Sequence, residues 1–217
     1  MSKKIYLSPS MQPNNVYAYG NTNEQEECNK IASFAKLSLE RYGFDVKQAP
    51  KGQPITKSVE ESNSWNSDLH IAIHTNAFDS KTLGGTLVMI YSSEEKNKKA
   101  GEAILNSVAP ISPGDDYSLK VNPSLLELRS TKCVAVYLEV EFHDTLEGAK
   151  WIVSNNKNIG EAICKGVCDY FRIAYEKEQD NGFYKVQIGA FKDNLRAQKQ
   201  LQKAKECGFS DAFITKS

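Results

Sequence analysis

The sequence predicts an α/β fold, in which a mixed, mostly parallel β-sheet is flanked by helices and followed by a small C-terminal β-α-β unit. Three observations support this prediction. Strand patterns alternate with helical patterns over residues 3–173, as in α/β domains. Two strands, DLHIAIHTNA (68–77) and VAVYLEVEF (134–142), have the apolar composition of buried strands. A charged segment, YEKEQDNG (175–182), then precedes a last strand–helix–strand pattern and is predicted to be a linker.

The body of the chain, residues 1–174, is predicted to be one domain. Its predicted elements are a strand at 3–9, a helix at 24–42, a strand at 45–49, a helix at 55–65, strands at 68–77 and 85–92, a helix at 93–108, a strand at 134–142, and helices at 146–155 and 156–173. The first helix has apolar residues at helical spacing, and Gly43 follows it as a typical C-cap. Ser93 is predicted to cap its helix, because Glu94 and Glu95 suit the positive end of a helix.

The tail, residues 183–217, is predicted to contain a strand, FYKVQIGAF (183–191), a helix that ends at Gly208, and a short strand at 211–216. A unit of about 35 residues is too small to build a stable core by itself. We therefore expect it to dock on the body, to pair with a copy of itself in a homodimer, or to be marginally folded.

Composition excludes several classes of protein. The 27 basic residues balance 27 acidic ones, and the mildly basic tail carries too little charge to indicate nucleic-acid binding. Five cysteines without a C-x-x-C pair argue against a disulfide framework. No run approaches the ~18 apolar residues of a membrane span. The start, MSKKIYLSPS, lacks a signal-peptide pattern, so we expect synthesis in the cytoplasm and action elsewhere only after release.

Two strands carry residues that suit a hydrolytic metal site. Because strand side chains alternate between faces, His70 and His74 share one face of their strand, and Glu139, Glu141 and His143 share a face of theirs. A carboxylate in a buried strand is costly unless it meets a partner or a metal. Sites in such sheets form beyond the carboxyl ends of the strands, where His74 and Glu139 lie. Imidazole and carboxylate ligands with a nearby carboxylate base are the groups that a hydrolytic zinc site uses.

These motifs resemble the zinc-dependent N-acetylmuramoyl-L-alanine amidases of the type-3 class over residues 3–173. The most specific part is I-H-T-N-A followed about 65 residues later by L-E-V-x-F. The resemblance implies a peptidoglycan hydrolase of the endolysin or autolysin type, which cleaves the amide between N-acetylmuramic acid and L-alanine with Zn2+ as cofactor. The tail is similar to one half of a SPOR domain, which implies binding to peptidoglycan. A host-cell-lysis or holin route would then bring the protein to the cell wall.

Within the resemblance, Glu24 and His74 match two zinc ligands, and Glu139 matches the catalytic glutamate. The first histidine ligand of the family has no counterpart, because the turn after strand one reads PSMQPNN and has Asn14 near the expected position. Catalytic zinc normally has three protein ligands. The third ligand is therefore left open between His143, which we favour, and Asn14.

The other polar residues receive weaker assignments. Asn14, Asn76 and Arg129 are predicted to contact substrate, although Asn76 could equally cap its strand and Arg129 could simply be solvated. His70 lies about 13 Å along the strand from His74, so a structural role is favoured over a shared zinc. The main alternative function is an amidase-like protein that has lost its metal and only binds peptidoglycan. A carboxypeptidase-like zinc hydrolase and an RNA-binding tail are lesser alternatives.

Overall fold

The computed structural model of the protein describes residues 2–77, 84–176, 187–210 and 212–214. The chain divides into two compact units, Met1–Tyr175 and Glu176–Ser217. The first unit contains the strands β1 (Lys4–Pro9), β2 (Asp45–Gln48), β3 (Leu69–Asn76), β4 (Leu87–Ile90), β5 (Ser118–Val121) and β6 (Val134–Phe142). Its helices are α1 (Glu24–Arg41), α2 (Ile55–Trp65), α3 (Glu95–Val108), α4 (Leu126–Ser130) and α5 (Leu146–Phe171), with a 3-10 turn at Ala109–Ile111.

The six strands form one sheet in the order β2-β1-β3-β6-β4-β5. Every neighbouring pair is parallel except β4 and β6, which are antiparallel. The three central strands β1, β3 and β6 therefore end at the same edge of the sheet. This arrangement confirms the predicted mixed, mostly parallel sheet.

The two faces of the sheet have different partners. Helices α1, α3 and α5 pack with one another and with the strands on one face, whereas α2 and α4 lie on the other. The residues that point to the first face form a continuous buried core, which includes Ile5, Leu7, Ile71, Ile73, Leu138 and Val140. Because strand side chains alternate, the intervening residues of the same strands point to the α2–α4 face. That face holds most of the buried polar side chains discussed below.

Most predicted elements of the body agree with the structure; one predicted helix cap does not, and two short elements were not predicted. The prediction that Ser93 caps a helix is wrong, since Glu94 is the N-cap of α3 and Ser92 accepts hydrogen bonds from the Glu94 N–H and the Asn97 side chain. The sequence analysis missed β5 and the one-turn helix α4. The break predicted between helices at 146–155 and 156–173 coincides with a kink in α5 at Asn155, where the backbone leaves helical geometry.

In the second unit, the predicted helix is present as α6, Asn194–Glu206. Asp193 caps it by accepting from the N–H groups of Leu195 and Arg196, and Gly208 follows with a positive φ of 97°. Residues 187–191 and 212–214 are described without strand pairing. The remaining residues of the two predicted tail strands, and residues 177–182 of the predicted linker, lie outside the described residues. Among the helices of the described ranges, none is both long and apolar enough to cross a membrane.

Candidate active site

The candidate site lies at the carboxyl edge of β3 and β6, where two predicted site residues face each other across neighbouring strands. His74 of β3 is in register with Glu139 of β6. Glu24 reaches the same point from the first residue of α1, after a loop that leaves the end of β1. A carboxylate is favoured at a helix N-terminus, because the free N–H groups there carry partial positive charge. The fold therefore brings Glu24, His74 and Glu139 together.

Glu24 and His74 form a buried pair. Nδ1 of His74 lies 2.8 Å from Oε1 of Glu24, and both side chains are almost fully buried. Burial by itself would raise the pKa of Glu24, but its hydrogen bond with His74 and the charge of that ring lower the pKa overall. Burial likewise opposes protonation of His74, yet the hydrogen bond to Glu24 and the neighbouring carboxylates raise its pKa. Both pKa shifts favour a protonated His74 and an ionised Glu24, which then form an ion pair.

The pKa of Glu139 is shifted in the opposite direction from the pKa of Glu24. Oε2 of Glu139 is buried and has no hydrogen-bond partner within the described ranges. The pKa of Glu139 is raised to about 7 overall. Burial is the largest cause; the charge of His74 lowers the pKa, and the charge of Glu24 raises it. A carboxylate whose pKa lies near neutrality can both take up and release a proton at ordinary pH, which is what general acid–base catalysis requires. An unpartnered carboxylate with a shifted pKa is also a frequent mark of a functional site.

Two amide side chains complete the rim of the Glu24–His74 pair. Nδ2 of Asn15 lies 2.5 Å from Oε2 of Glu24 and 3.1 Å from Oε1 of Gln12. Nε2 of Gln12 lies 3.4 Å from Nδ1 of His74. The sequence analysis missed both residues, although they stand in the same PSMQPNN turn as Asn14. The signal available there was the turn itself, which connects the end of β1 to Glu24.

His143 lies near the site but is engaged elsewhere through one ring nitrogen. Its Nδ1 is 3.0 Å from Oγ1 and 3.1 Å from the carbonyl oxygen of Thr75. The hydroxyl of Tyr17 lies 2.8 Å from the same Oγ1, and the rings of Tyr17 and His143 stack with centroids 5.0 Å apart. Burial lowers the pKa of His143 and favours the neutral ring. If His143 donates from Nδ1 to Thr75, only its Nε2 is available as a ligand, so its role as third ligand stays a prediction.

The three predicted substrate residues have hydrogen-bond partners other than Glu24 and His74. The side chain of Asn14 is exposed, and its carbonyl oxygen accepts from the N–H of Val16. Asn76 caps the end of β3 by accepting from the N–H of Ala77. Arg129 is exposed and donates to the carbonyl oxygen of Ser124 in the preceding loop. Their contact with substrate stays a prediction.

A second buried carboxylate stands behind His74, and the sequence analysis did not identify it. Oε1 of Glu127 lies 3.0 Å from Nε2 of His70, and its Oε2 lies 4.0 Å from Nε2 of His74. Tyr6 stacks on the ring of His70, and Tyr137 stacks on that of His74 with centroids 4.3 Å apart. A glutamate enclosed by leucines in LLELR was the signal in the sequence.

Glu141 lies on the same face of β6 as Glu139, but its hydrogen bonds indicate a structural role. Its carboxylate accepts from the N–H groups of Gly85, Gly114 and Phe142 and from the hydroxyl of Ser112. These four donors engage both oxygens of the buried carboxylate. Glu141 thereby ties the end of β6 to the loops before β4 and β5.

The groups that surround the Glu24–His74 pair decide whether the site could hold a divalent cation. Within the described part of the chain, no group of three or more His, Cys, Asp or Glu side chains is arranged to hold a metal. Glu24 and His74 nevertheless converge on one point, with the amides of Gln12 and Asn15 beside it. Three buried glutamates surround His74, so the site has an excess of negative charge that a cation would offset. The residues fit Zn2+ through an imidazole, a carboxylate and a further oxygen or nitrogen donor.

A parallel sheet with polar groups converging at the carboxyl ends of its strands defines the class of α/β proteins whose functional site lies at that edge. Sequence comparison then identifies the family. The model of the Amidase_3 family, described as N-acetylmuramoyl-L-alanine amidase, matches residues 10–169, and the chain belongs to this family. No curated protein matched the chain in a separate comparison.

Solved structures of amidases have the same fold. The catalytic domain of CwlV, an N-acetylmuramoyl-L-alanine amidase from Bacillus (Paenibacillus) polymyxa var. colistinus, is 15% identical, with a TM-score of 0.71 over 79% of this chain and 99% of that one. AmiC2 of Nostoc punctiforme is 16% identical, with a TM-score of 0.71 over 78% and 97% of the two chains. The catalytic domain of the CD27L endolysin, which targets Clostridia difficile, is 21% identical, with a TM-score of 0.64 over 80% and 99%. At these identities, the similarity supports the fold alone.

Proposed function

We propose that this protein is a Zn2+-dependent peptidoglycan hydrolase that cleaves the amide between the lactyl group of N-acetylmuramic acid and L-alanine. The observation that carries the proposal is the unpartnered carboxylate of Glu139, in register with the Glu24–His74 pair. The family match supports the choice of reaction and substrate. The excess of negative charge around His74 supports the choice of a cation as cofactor.

Glu24 and His74 would hold the metal, through the carboxylate oxygen and Nδ1 that now contact each other. The third donor is proposed to be His143 through Nε2, as predicted from the sequence. Gln12 is the alternative that the geometry adds: its Nε2 lies 3.4 Å from Nδ1 of His74, and a rotation of the amide group would bring its oxygen to that place as a donor. A bound Zn2+ would lower the pKa of a water molecule and polarise the scissile carbonyl group.

The residues of the chain supply the proton transfers. Glu139 in its ionised form takes a proton from the attacking water, since its buried Oε2 has no competing hydrogen bond. It then returns that proton to the nitrogen of the leaving L-alanine, which departs as a neutral amine. Glu24 cannot replace it, because its lowered pKa leaves it a weak base. The amide of Asn15 donates to Oε2 of Glu24 and to Oε1 of Gln12, which limits the movement of the Glu24 carboxylate.

Peptidoglycan is the proposed macromolecular partner of both parts of the chain. The tail unit exposes several large apolar side chains, among them Ile188, Phe191, Leu195, Phe209 and Phe213. We propose that the tail, as a half SPOR-like repeat, binds the cell wall, and that the body, residues 1–174, is the catalytic domain. Action as an endolysin or autolysin after release from the cell is part of the same proposal.

One alternative function has a specific observation in its favour. Because no third His, Cys, Asp or Glu joins Glu24 and His74 among the described residues, the protein could bind peptidoglycan without a metal. This binding function and the hydrolase function make opposite predictions for metal content and product formation.

Metal content and product analysis test the proposal together. The full chain, purified without added metal and then dialysed against a small excess of Zn2+, should retain about one Zn2+ per chain. Incubation with purified peptidoglycan should release peptides with a new N-terminal alanine and should create no new reducing sugar ends. Retention of no zinc together with intact peptidoglycan binding would contradict the hydrolase and support the binding protein. New reducing ends would identify a glycosidase instead.

The third donor is tested by three alanine variants with the same readout of zinc affinity. His143→Ala should weaken zinc binding if the sequence-based prediction is correct, whereas Gln12→Ala should weaken it if the amide is the ligand. Asn14→Ala tests the other candidate that the sequence left open, and a loss of zinc affinity in this variant alone would identify Asn14 as the third ligand. Equal affinities in all three variants would contradict all three assignments.

A further inference from the structure

The carboxylate of Glu127 bridges the space between the two histidines of β3. His70 and His74 lie four residues apart on one face of the strand, too far apart to share a metal directly. Glu127 contacts Nε2 of His70 at 3.0 Å with one oxygen, while the other oxygen is 4.0 Å from Nε2 of His74. The side chain is 2% exposed, so it reaches these rings from α4 through the protein interior.

The carboxylate of Glu127 is almost fully buried and faces both histidine rings. Such a buried carboxylate is expensive unless its oxygens are engaged. Its position suggests that it acts on the rings that face it, and only one of those rings belongs to the candidate active site.

The two nitrogens of His74 have different neighbours. Nδ1 faces Glu24 and Gln12, where a metal would bind, and Nε2 faces Glu127. A neutral imidazole that binds a metal through Nδ1 must carry its proton on Nε2. The Glu127 carboxylate, 4.0 Å from Nε2, favours that tautomer through its charge, while Tyr137 stacks on the plane of the ring and limits its rotation.

We propose that Glu127 is a positioning residue for the metal site, which keeps His74 in the tautomer with the proton on Nε2 and aims its Nδ1 at the metal. His70 holds Glu127 in place through the 3.0 Å contact and does not itself bind the metal. This inference rests on the proposed function, because it concerns the zinc ligand His74. It extends that function by assigning a role to a residue outside the ligand set and outside the sequence-based predictions.

The first test measures zinc affinity of the full chain by competition with a chelator. Glu127→Gln keeps the size of the side chain and removes its charge, and it should weaken Zn2+ binding by about 10- to 100-fold. The control is Glu161→Gln, which alters a carboxylate bonded to Arg41, Ser38 and Tyr175 on the opposite helix layer and should leave zinc affinity unchanged. A Glu127→Gln protein that binds zinc as tightly as the wild type would overturn the proposal.

The second test uses the wild-type protein and so does not depend on the folding of a variant. Long-range 1H–15N correlation spectra of the zinc-loaded protein should show His74 with a protonated Nε2 and an unprotonated Nδ1. The reverse pattern, with Nε2 on the metal, would overturn the role of Glu127 while leaving the hydrolase proposal intact. A wild-type protein that binds no zinc would contradict both proposals, so the two failures are distinguishable.

Discussion

The two faces of the same sheet contrast sharply, although the same strands build both. On the face covered by α1, α3 and α5, residues such as Ile5, Ile71 and Leu138 are buried among other apolar side chains. On the opposite face, the neighbouring residues His70, His74 and Glu139 are polar and make few, specific contacts. The strand period of two separates a face whose contacts stabilise the fold from a face whose groups are arranged for chemistry.

The largest effect is expected on the polar face, from Glu139→Gln. Without an ionisable base, turnover on peptidoglycan should fall by about 100- to 10,000-fold, because general base catalysis contributes about that much. Zinc affinity should change little, since Glu139 is not a proposed ligand. The measurement is the rate of release of N-terminal alanine, with equilibrium dialysis for the metal.

Glu102→Gln is the matched control for this variant, because the same chemical change occurs at an exposed position on α3. It should leave turnover unchanged. Normal turnover in Glu139→Gln would show that Glu139 is not the catalytic base. The polar face would then lose its proposed role in catalysis.

On the apolar face, Ile71→Ala should act on stability alone. Ile71 is fully buried in the apolar core, so its truncation leaves a cavity and should lower the free energy of unfolding by about 2–5 kcal/mol. Denaturant titration at constant temperature measures this change. Zinc affinity of the folded variant should match the wild type.

The exposed Val16 provides the comparison, and Val16→Ala should change the unfolding free energy by less than about 0.5 kcal/mol. A large loss of zinc affinity in Ile71→Ala, measured well below its unfolding transition, would show that the two faces are coupled rather than separate.

Glu139 should also destabilise the metal-free protein in a pH-dependent way. Its pKa is about 7 in the folded protein and near 4.5 when unperturbed, so the native state binds the proton more tightly. Its contribution to stability therefore falls as pH rises from about 4.5 to about 7 and stays low at higher pH. Replacement by Gln should raise the unfolding free energy by up to about 3 kcal/mol at pH 8 and have little effect at pH 4.

The difference between wild type and Glu139→Gln, measured by denaturant titration with a chelator present, isolates this contribution from the other titrating groups. A difference that stays constant between pH 4 and pH 8 would mean that the Glu139 carboxyl has an ordinary pKa in the folded protein.

The smallest effect is expected at Arg129, an exposed residue of α4 that points to neither face of the sheet as a buried side chain does. As a predicted substrate contact, Arg129→Ala should raise KM by about 3- to 10-fold, equivalent to the loss of one exposed polar contact, and leave kcat unchanged. The unfolding free energy should change by less than about 0.5 kcal/mol, since the side chain is exposed. Initial rates over a range of soluble peptidoglycan fragments give both constants, and an unchanged KM would remove Arg129 from the substrate site.

The sequence predicted the strands and helices of the body well, because their signals are local. The apolar runs of β3 and β6 and the helical spacing in α1 are visible without knowing the fold. The one-turn helix α4 and the short strand β5 were missed, since each is too short for a periodic pattern. The kink at Asn155 was predicted as a break between helices, because sequence does not show whether helical hydrogen bonding resumes at once.

The convergence of Glu24, His74 and Glu139 was predictable, because motif and topology agree there. His74 and Glu139 lie on strands whose ends meet at one edge of the sheet, and Glu24 begins the helix that follows β1. Gln12, Asn15 and Glu127 were not found, because only tertiary packing places them next to His74. The orientation of His143 toward Thr75 was equally inaccessible, since it depends on a stacking contact with Tyr17.

The hydrogen bonds of Glu141 have a consequence for its neighbour two residues earlier. Four donors anchor the end of β6, so the strand resists any shift that would let Glu139 reach solvent when it ionises. Proton transfer to and from Glu139 then proceeds with little reorganisation of the surrounding backbone. An electrostatic environment that is already set before the charge moves is the condition under which an active site lowers a barrier most effectively.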